Sequence, residues 1–132
     1  MTLSFTTIGL WALRILAAVI MLQTLLFKFS AAEESVYIFS ALGMEPWGRI
    51  GTGVLELIAS LLILFPKTTH FGALLAIGLM GGAIFFHLTR LGIAVRGDGG
   101  QLFIYALLVL ISSGVLLFVY RNEMTVFIKK LI

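Results

Sequence analysis

Four apolar stretches, each about 20 residues long, constrain the fold of this chain more than any other feature. They cover residues 8–29, 46–65, 69–88 and 101–120. An α-helix of about 20 predominantly apolar residues is long enough to cross a bilayer. We therefore expect an all-α, integral membrane protein with a single transmembrane domain over residues 1–132. Its four spans form an antiparallel bundle, with both termini on the same side.

The composition points to lipid as the surroundings of this bundle. Hydrophobic residues make up 61% of the chain and charged residues 11%, whereas soluble domains have about 45–50% apolar and about 25% charged residues. The net charge of +3 is scattered along the chain, which does not indicate a nucleic acid partner. The absence of cysteine excludes disulfides and thiol chemistry within the chain.

A short amphipathic helix is expected over residues 31–42, between the first two spans. Ser30 and Glu33 have the spacing of a capping box, and Gly43 is a plausible stop. A similar box begins at Asp98, before the fourth span. The short helix is expected to lie at the membrane surface or over the mouth of the bundle. A mere connector is the alternative that the pattern leaves open.

Glu56 lies near the middle of the second span, about 13 Å below Trp47. A carboxylate at that depth costs about 2.5–3.5 kcal/mol on insertion scales, so it usually faces protein and has a partner. Lys28, near the end of the first span, is the favoured partner because its long side chain can reach inward while staying charged.

The polar residues of all four spans fall mainly in the half of the membrane next to residues 30–45 and 89–100. The candidate ligand-binding residues are Gln23, Lys28, Thr52, Glu56, His87 and Tyr105, with Arg14 added although it lies toward the opposite surface. Structural interpretations stay open for several of them: Lys28 can snorkel, His87 can bond a carbonyl, and Arg14 can fix helix packing.

A metal or haem site is not predicted. His70 and His87 lie about 25 Å apart along one helix, too far to be the two axial ligands of one haem. A single histidine with Glu56 makes a weak metal site.

Gly78 and Gly82 form a small-xxx-small pair that lets helices approach closely. This face lies about 180° from the face of His87. We expect one face to serve the bundle and the other a second protomer, which predicts a homodimer.

The basic residues do not decide the orientation of the bundle, because equal numbers flank its two ends. Residues 121–132 form a basic, amphipathic tail at the end that carries both termini. Cytoplasmic termini are the favoured arrangement.

Several of these residues together resemble the DoxX family over about residues 10–120. They are Arg14 in the first span, Lys28 and Phe29 at its end, Gly53 and Glu56 in the second span, and the polar end of the third. Members often have glycine three residues before the lysine, where this chain has Leu25. The resemblance implies a four-helix bundle in a bacterial plasma membrane. It also implies company with redox systems, such as quinone-linked thiosulfate oxidation, methylamine dehydrogenase maturation and mycobacterial oxidative-stress complexes.

Three classes of function fit this pattern, and whether the chain is an enzyme stays open. The first is a membrane subunit or accessory of a quinone-linked redox system, in which Glu56, Lys28 and His87 bind a quinone head group and a redox protein is the partner. The second is a non-enzymatic binder or carrier of a lipid or small amphiphile. The third is an assembly factor for membrane proteins that acts through the short helix.

Overall fold

A computed structural model describes residues 4–131 of the chain. Within that range the chain forms α-helices joined by short loops, together with one π-helical turn, so the all-α prediction is confirmed. The elements are α1 (Phe5–Phe29), α2 (Glu33–Ala41), α3 (Trp47–Leu64), α4 (Thr69–Phe86), the π-helical turn His87–Leu91 that continues α4, α5 (Gln101–Val119) and α6 (Arg121–Leu131).

Four of these segments are long and apolar enough to cross a membrane, as predicted. They are α1, α3, α5 and the continuous segment Thr69–Leu91, which joins α4 to the π-helical turn. Two boundaries differ by three residues from the sequence-based expectation, and the others by at most one. The first span begins at Phe5 instead of residue 8, and the third continues to Leu91 instead of ending at residue 88.

The four spans pack as a ring in which α1 contacts α3 and α5, and α4 contacts the same two helices. Neighbours run antiparallel: Arg49 in the first turn of α3 donates to the carbonyl of Lys28 in the last turn of α1. Met21, Ile63 and Leu116 are among the fully buried residues at the centre of the ring. The outward faces are apolar and exposed, so lipid must cover them.

The short helix α2 lies across one end of the bundle, where it contacts α1, α3 and the π-helical turn. Its inward residues Ser35 and Phe39 are buried, while Glu33, Glu34 and Tyr37 are exposed. The prediction of a short helix between the first two spans is therefore confirmed, and the helix covers the bundle end instead of serving as an unstructured connector.

The end of α2 matches the sequence-based expectation, but its start does not. Gly43 follows the helix with φ of 72°, a left-handed conformation that suits glycine at a helix stop. The predicted capping box at Ser30 is wrong. Ser30 instead ends α1, and Ala32 precedes α2 without a side-chain cap.

Asp98 organises the loop that leads into α5. Its carboxylate accepts hydrogen bonds from the backbone N–H groups of Val95 at 2.9 Å, Gly100 at 2.8 Å and Leu102 at 3.4 Å. Burial by itself raises the pKa of the Asp98 carboxyl, but these three backbone donors bring its pKa below the ordinary value. Asp98 thus stabilises the start of α5, but the predicted capping box is wrong, because Gly100 is the N-cap residue and the Gln101 side chain bonds Tyr105.

Two spans approach each other closely at Gly72, and not at the predicted pair of glycines. A Cβ atom on Gly72 would lie 2.6 Å from the backbone nitrogen of Ile63 and 2.8 Å from the carbonyl oxygen of Ala59. At Gly78 and Gly82 a Cβ atom would meet nothing within 4 Å. Inside the bundle, α4 therefore packs closely against α3 at Gly72, while the role of the other two glycines in a homodimer stays a prediction.

Gly72→Ala should destabilise the bundle by about 1–3 kcal/mol, because the added methyl group meets backbone atoms that cannot rotate away. Gly78→Ala is the matched control, and it should leave stability unchanged or raise it by up to about 1 kcal/mol. Unfolding of both variants in mixed detergent micelles measures the difference. Equal stability of the two variants would show that α3 and α4 are not in close contact at Gly72.

Candidate functional site

A cavity of about 530 Å³ lies between the spans at the end of the bundle that α2 covers. Every span contributes to its wall, and α2 lines it with Ser35 and Phe39. Most of the lining is apolar, with Met21 and Phe86 as examples. The polar side chains at its inner end are therefore the groups that can orient a ligand.

Glu56 and Lys28 form an ion pair at this inner end. The distance from Lys28 Nζ to Glu56 Oε1 is 2.8 Å, and the side chains are 15% and 3% exposed, respectively. The predicted contact between these two residues is therefore present. Because an ammonium group has three N–H donors and Lys28 lines the cavity, donors remain for a ligand.

Thr24 completes the coordination of the carboxylate, and sequence reasoning missed it. Its hydroxyl donates to Glu56 Oε2 at 2.6 Å, so each carboxylate oxygen has a donor of its own. Thr24 lies one helical turn before Lys28, on the same face of α1. That spacing, i and i+4, was the available signal.

Arg49 fixes the position of Lys28 through the backbone. Its Nε donates to both carboxylate oxygens of Glu45, at 2.8 and 3.0 Å, and its Nη1 donates to the Lys28 carbonyl. Arg49 is buried, whereas its position in the sequence indicated only an interfacial residue. The arginine thus ties the last turn of α1 to the first turn of α3, next to the ion pair.

His87 begins the π-helical turn and lines the cavity. Its Nδ1 lies 2.9 Å from the carbonyl oxygen of Gly92. A carbonyl can only accept, so in the neutral ring Nδ1 carries the proton and Nε2 has the free lone pair. The carbonyl contact suggested for His87 is therefore present, and it leaves the other nitrogen as an acceptor.

The other predicted residues at this end also reach the cavity wall. Gln23, Thr52 and Tyr105 line it, as does Gln101. Gln101 Nε2 donates to the Tyr105 hydroxyl at 2.9 Å. Gln23 is exposed, Thr52 and Tyr105 are partly exposed, and Glu56 is 2% exposed. The cavity therefore runs from a buried ionic end to an accessible rim.

Arg14 does not belong to this cavity, whose lining within residues 4–131 does not include it. Its Nε donates to Thr69 Oγ1 at 3.2 Å and its Nη2 donates to the Tyr120 hydroxyl. The guanidinium also lies 4.6 Å from the ring centroid of Trp11. Arg14 thus joins α1 to the start of α4 and the end of α5, which is the packing role the sequence left open.

Metal ligands do not gather at either place. Among residues 4–131, no three His, Asp or Glu side chains lie close enough together to hold a metal ion.

Lys28→Met should destabilise the bundle by about 3–5 kcal/mol, because it leaves the Glu56 carboxylate buried without a cation. The double variant Lys28→Met/Glu56→Leu should recover most of that loss, since an apolar pair needs no compensating charge. Unfolding in mixed micelles measures all the variants.

The matched control for this cycle is the exposed ion pair between Arg96 and Glu33, whose atoms lie 3.0 Å apart. Arg96→Met/Glu33→Leu should change stability by less than about 1 kcal/mol. Additive effects of Lys28→Met and Glu56→Leu would contradict a coupled buried pair.

Arg14→Gln should lower the free energy of unfolding by about 1–3 kcal/mol, because the hydroxyls of Thr69 and Tyr120 lose a charged donor. Ligand occupancy of the cavity per folded molecule should not change. Arg90→Gln, an exposed arginine at the opposite end, is the control and should stay within about 0.5 kcal/mol. A loss of ligand binding in folded Arg14→Gln would show that Arg14 contributes to the binding site.

Comparison with known proteins identifies a family. The model of the DoxX-like family matches residues 12–115, a range that begins in α1, ends in α5 and includes the cavity. No curated protein and no solved structure matches the chain.

Proposed function

The chain belongs to the DoxX-like family, and on that premise we propose that its cavity binds a quinone head group and that the protein is an accessory of a quinone-linked redox system. The observation that carries the proposal is the ion pair of Lys28 and Glu56 at the inner end of a largely apolar cavity. Such a site suits a molecule with a polar head and an apolar tail, which reaches it from the bilayer.

The donors and acceptors of the cavity suit the two states of a quinone. Lys28 retains N–H donors for a carbonyl oxygen, and the free Nε2 of His87 accepts from the hydroxyl of a quinol. Reduction of a quinone to a quinol takes two electrons and two protons. In this proposal His87 exchanges protons with the head group, and a separate redox protein supplies or removes the electrons.

Glu56 has a positioning role in this arrangement. Both of its oxygens already accept hydrogen bonds, from Lys28 and Thr24, so it holds the ammonium group in place. The ligand then meets the cation and not the carboxylate.

A non-enzymatic binder of a lipid or small amphiphile is the second candidate. The exposed Gly78 and the partly exposed Gly82 line the cavity with nothing within 4 Å of where a side chain would begin. Such a wall leaves room for an acyl chain as well as for an isoprenoid tail. An assembly factor, the third class, would reveal itself by a stoichiometric protein partner.

A binding experiment tests the quinone directly. The protein, purified in a mild detergent, is titrated with a short-chain quinone and its quinol, and calorimetry measures the affinity. The double variant Lys28→Met/Glu56→Leu should bind at least about tenfold more weakly, since each lost hydrogen bond to a ligand costs on the order of 1 kcal/mol or more. His87→Phe should weaken the quinol more than the quinone.

The matched control is Arg96→Met/Glu33→Leu, which removes an ion pair whose two residues do not line the cavity and should leave the affinity unchanged. Mass spectrometry of molecules that copurify with the protein separates the candidates: a quinone supports the first and a phospholipid the second. Equal affinity of the two double variants would contradict binding at the Lys28 end of the cavity.

A further inference from the structure

The terminal helix α6 stands apart from the rest of the fold. It follows α5 after the single residue Tyr120, and it lies outside residues 12–115, the range that the family model matches. None of its residues is buried. It nevertheless contacts the rest of the protein: the ring of Phe127 lies edge-on to Phe71, in the first turn of α4, with centroids 4.7 Å apart.

One face of α6 is apolar and only partly covered. At 100° per residue, the apolar face comprises Met124, Phe127, Ile128 and Leu131, while Lys129 and Lys130 lie on the opposite side. Phe127 is 39% exposed, Ile128 46% and Leu131 71%. The contact with Phe71 therefore orients this face but leaves much of it open.

The charge at this end of the bundle is strongly positive. Lys67, Arg121, Lys129 and Lys130 are all exposed there, and among the acidic residues only Glu123 accompanies them. The remaining acidic residues, Glu33, Glu34, Glu45, Glu56 and Asp98, belong to the end of the bundle that holds the cavity. Lys28, Arg49, Arg90 and Arg96 nearly balance them there, so the positive net charge is concentrated at the end that carries α6.

We propose that α6 docks on a membrane leaflet rich in anionic phospholipid, with its apolar face in the acyl boundary and its lysines at the phosphates. The position of the helix supports a lipid occupant, because it starts where α5 ends and touches the first turn of α4. That is the level at which the spans enter the bilayer. An amphipathic helix with lysines on its polar face binds such a surface by both area and charge.

This docking also sets the orientation of the bundle. The anionic leaflet of a plasma membrane is the cytoplasmic one, so α6 places the start of α1 and the end of α5 on that side. The cavity and α2 then lie toward the opposite face of the membrane.

Site-directed spin labelling of the full chain tests the proposal, and the absence of native cysteines makes each label unique. Ile128→Cys places a label on the apolar face, and Val126→Cys is the matched control, about 160° away on the lysine face. The labelled proteins are placed in nanodiscs of phosphatidylcholine alone or with one-third phosphatidylglycerol. Collisions with oxygen report the acyl region, and collisions with a water-soluble nickel chelate report water.

In the anionic nanodiscs, the label at position 128 should collide with oxygen and the label at 126 with the nickel chelate. The inserted population at 128 should be smaller in phosphatidylcholine alone. Lys129→Gln/Lys130→Gln should lower the ratio of inserted to free helix in anionic nanodiscs by at least about tenfold. Arg90→Gln/Arg96→Gln, which removes the same charge from the other end, should not change it.

Three results would overturn the proposal. Water access at position 128 in anionic nanodiscs would show that α6 is free in solution. Exclusion of both reagents at 128 would show that protein, such as a second copy of the chain, covers the face. Identical insertion in the two lipid compositions would show that phosphate charge has no part in docking.

Discussion

The ion pair between Lys28 and Glu56 is the contact on which the rest of this structure depends. A carboxylate buried at 2% exposure needs a partner within reach, because the bilayer offers it no water. The lysine of α1 and the hydroxyl of Thr24 meet that need, and in doing so they fix the depth at which α1 and α3 pass each other. The contact that sets this register is also the polar end of the cavity, so packing and the candidate site share the same residues.

At the opposite end of the bundle, the buried charge is that of Arg14, and neutral groups stabilise it. Among the described residues no carboxylate lies within ion-pair distance of Arg14, and its charge is stabilised by the hydroxyls of Thr69 and Tyr120 and by the ring of Trp11. Thr69 begins α4 and Tyr120 ends α5. Arg14 therefore sits near the membrane boundary, where a guanidinium costs less than at the centre. Glu56 lies deeper in the bundle, where burial of a charge costs more, and it is the residue that has an ion-pair partner.

The sequence alone predicts what depends on local pattern. The four spans follow from hydropathy, the end of α2 from Gly43, and the pairing of Lys28 with Glu56 from depth and the cost of an unpaired carboxylate. Contacts that depend on the relative rotation of helices were missed. Thr24 and Gly72 contact α3, and these contacts follow only when the rotation of α1 and α4 relative to α3 is known. The π-helical turn at His87 leaves no signal in residue type, because it is a change in backbone hydrogen bonding.

The packing along α4 explains why a four-helix bundle of this size contains a cavity at all. At Gly72 the backbones of α4 and α3 are so close that no side chain fits between them. Two turns later, at Gly78 and Gly82, the same helix has only open space beside it. The glycines therefore have opposite effects at the two levels. Gly72 permits close contact between helices, whereas Gly78 and Gly82 leave open volume. The open level is also the level of Glu56 and Lys28. The bundle is therefore closed near Arg14 and open near the ion pair. That division leaves an open volume in the bundle without loosening the contacts that keep the four spans together.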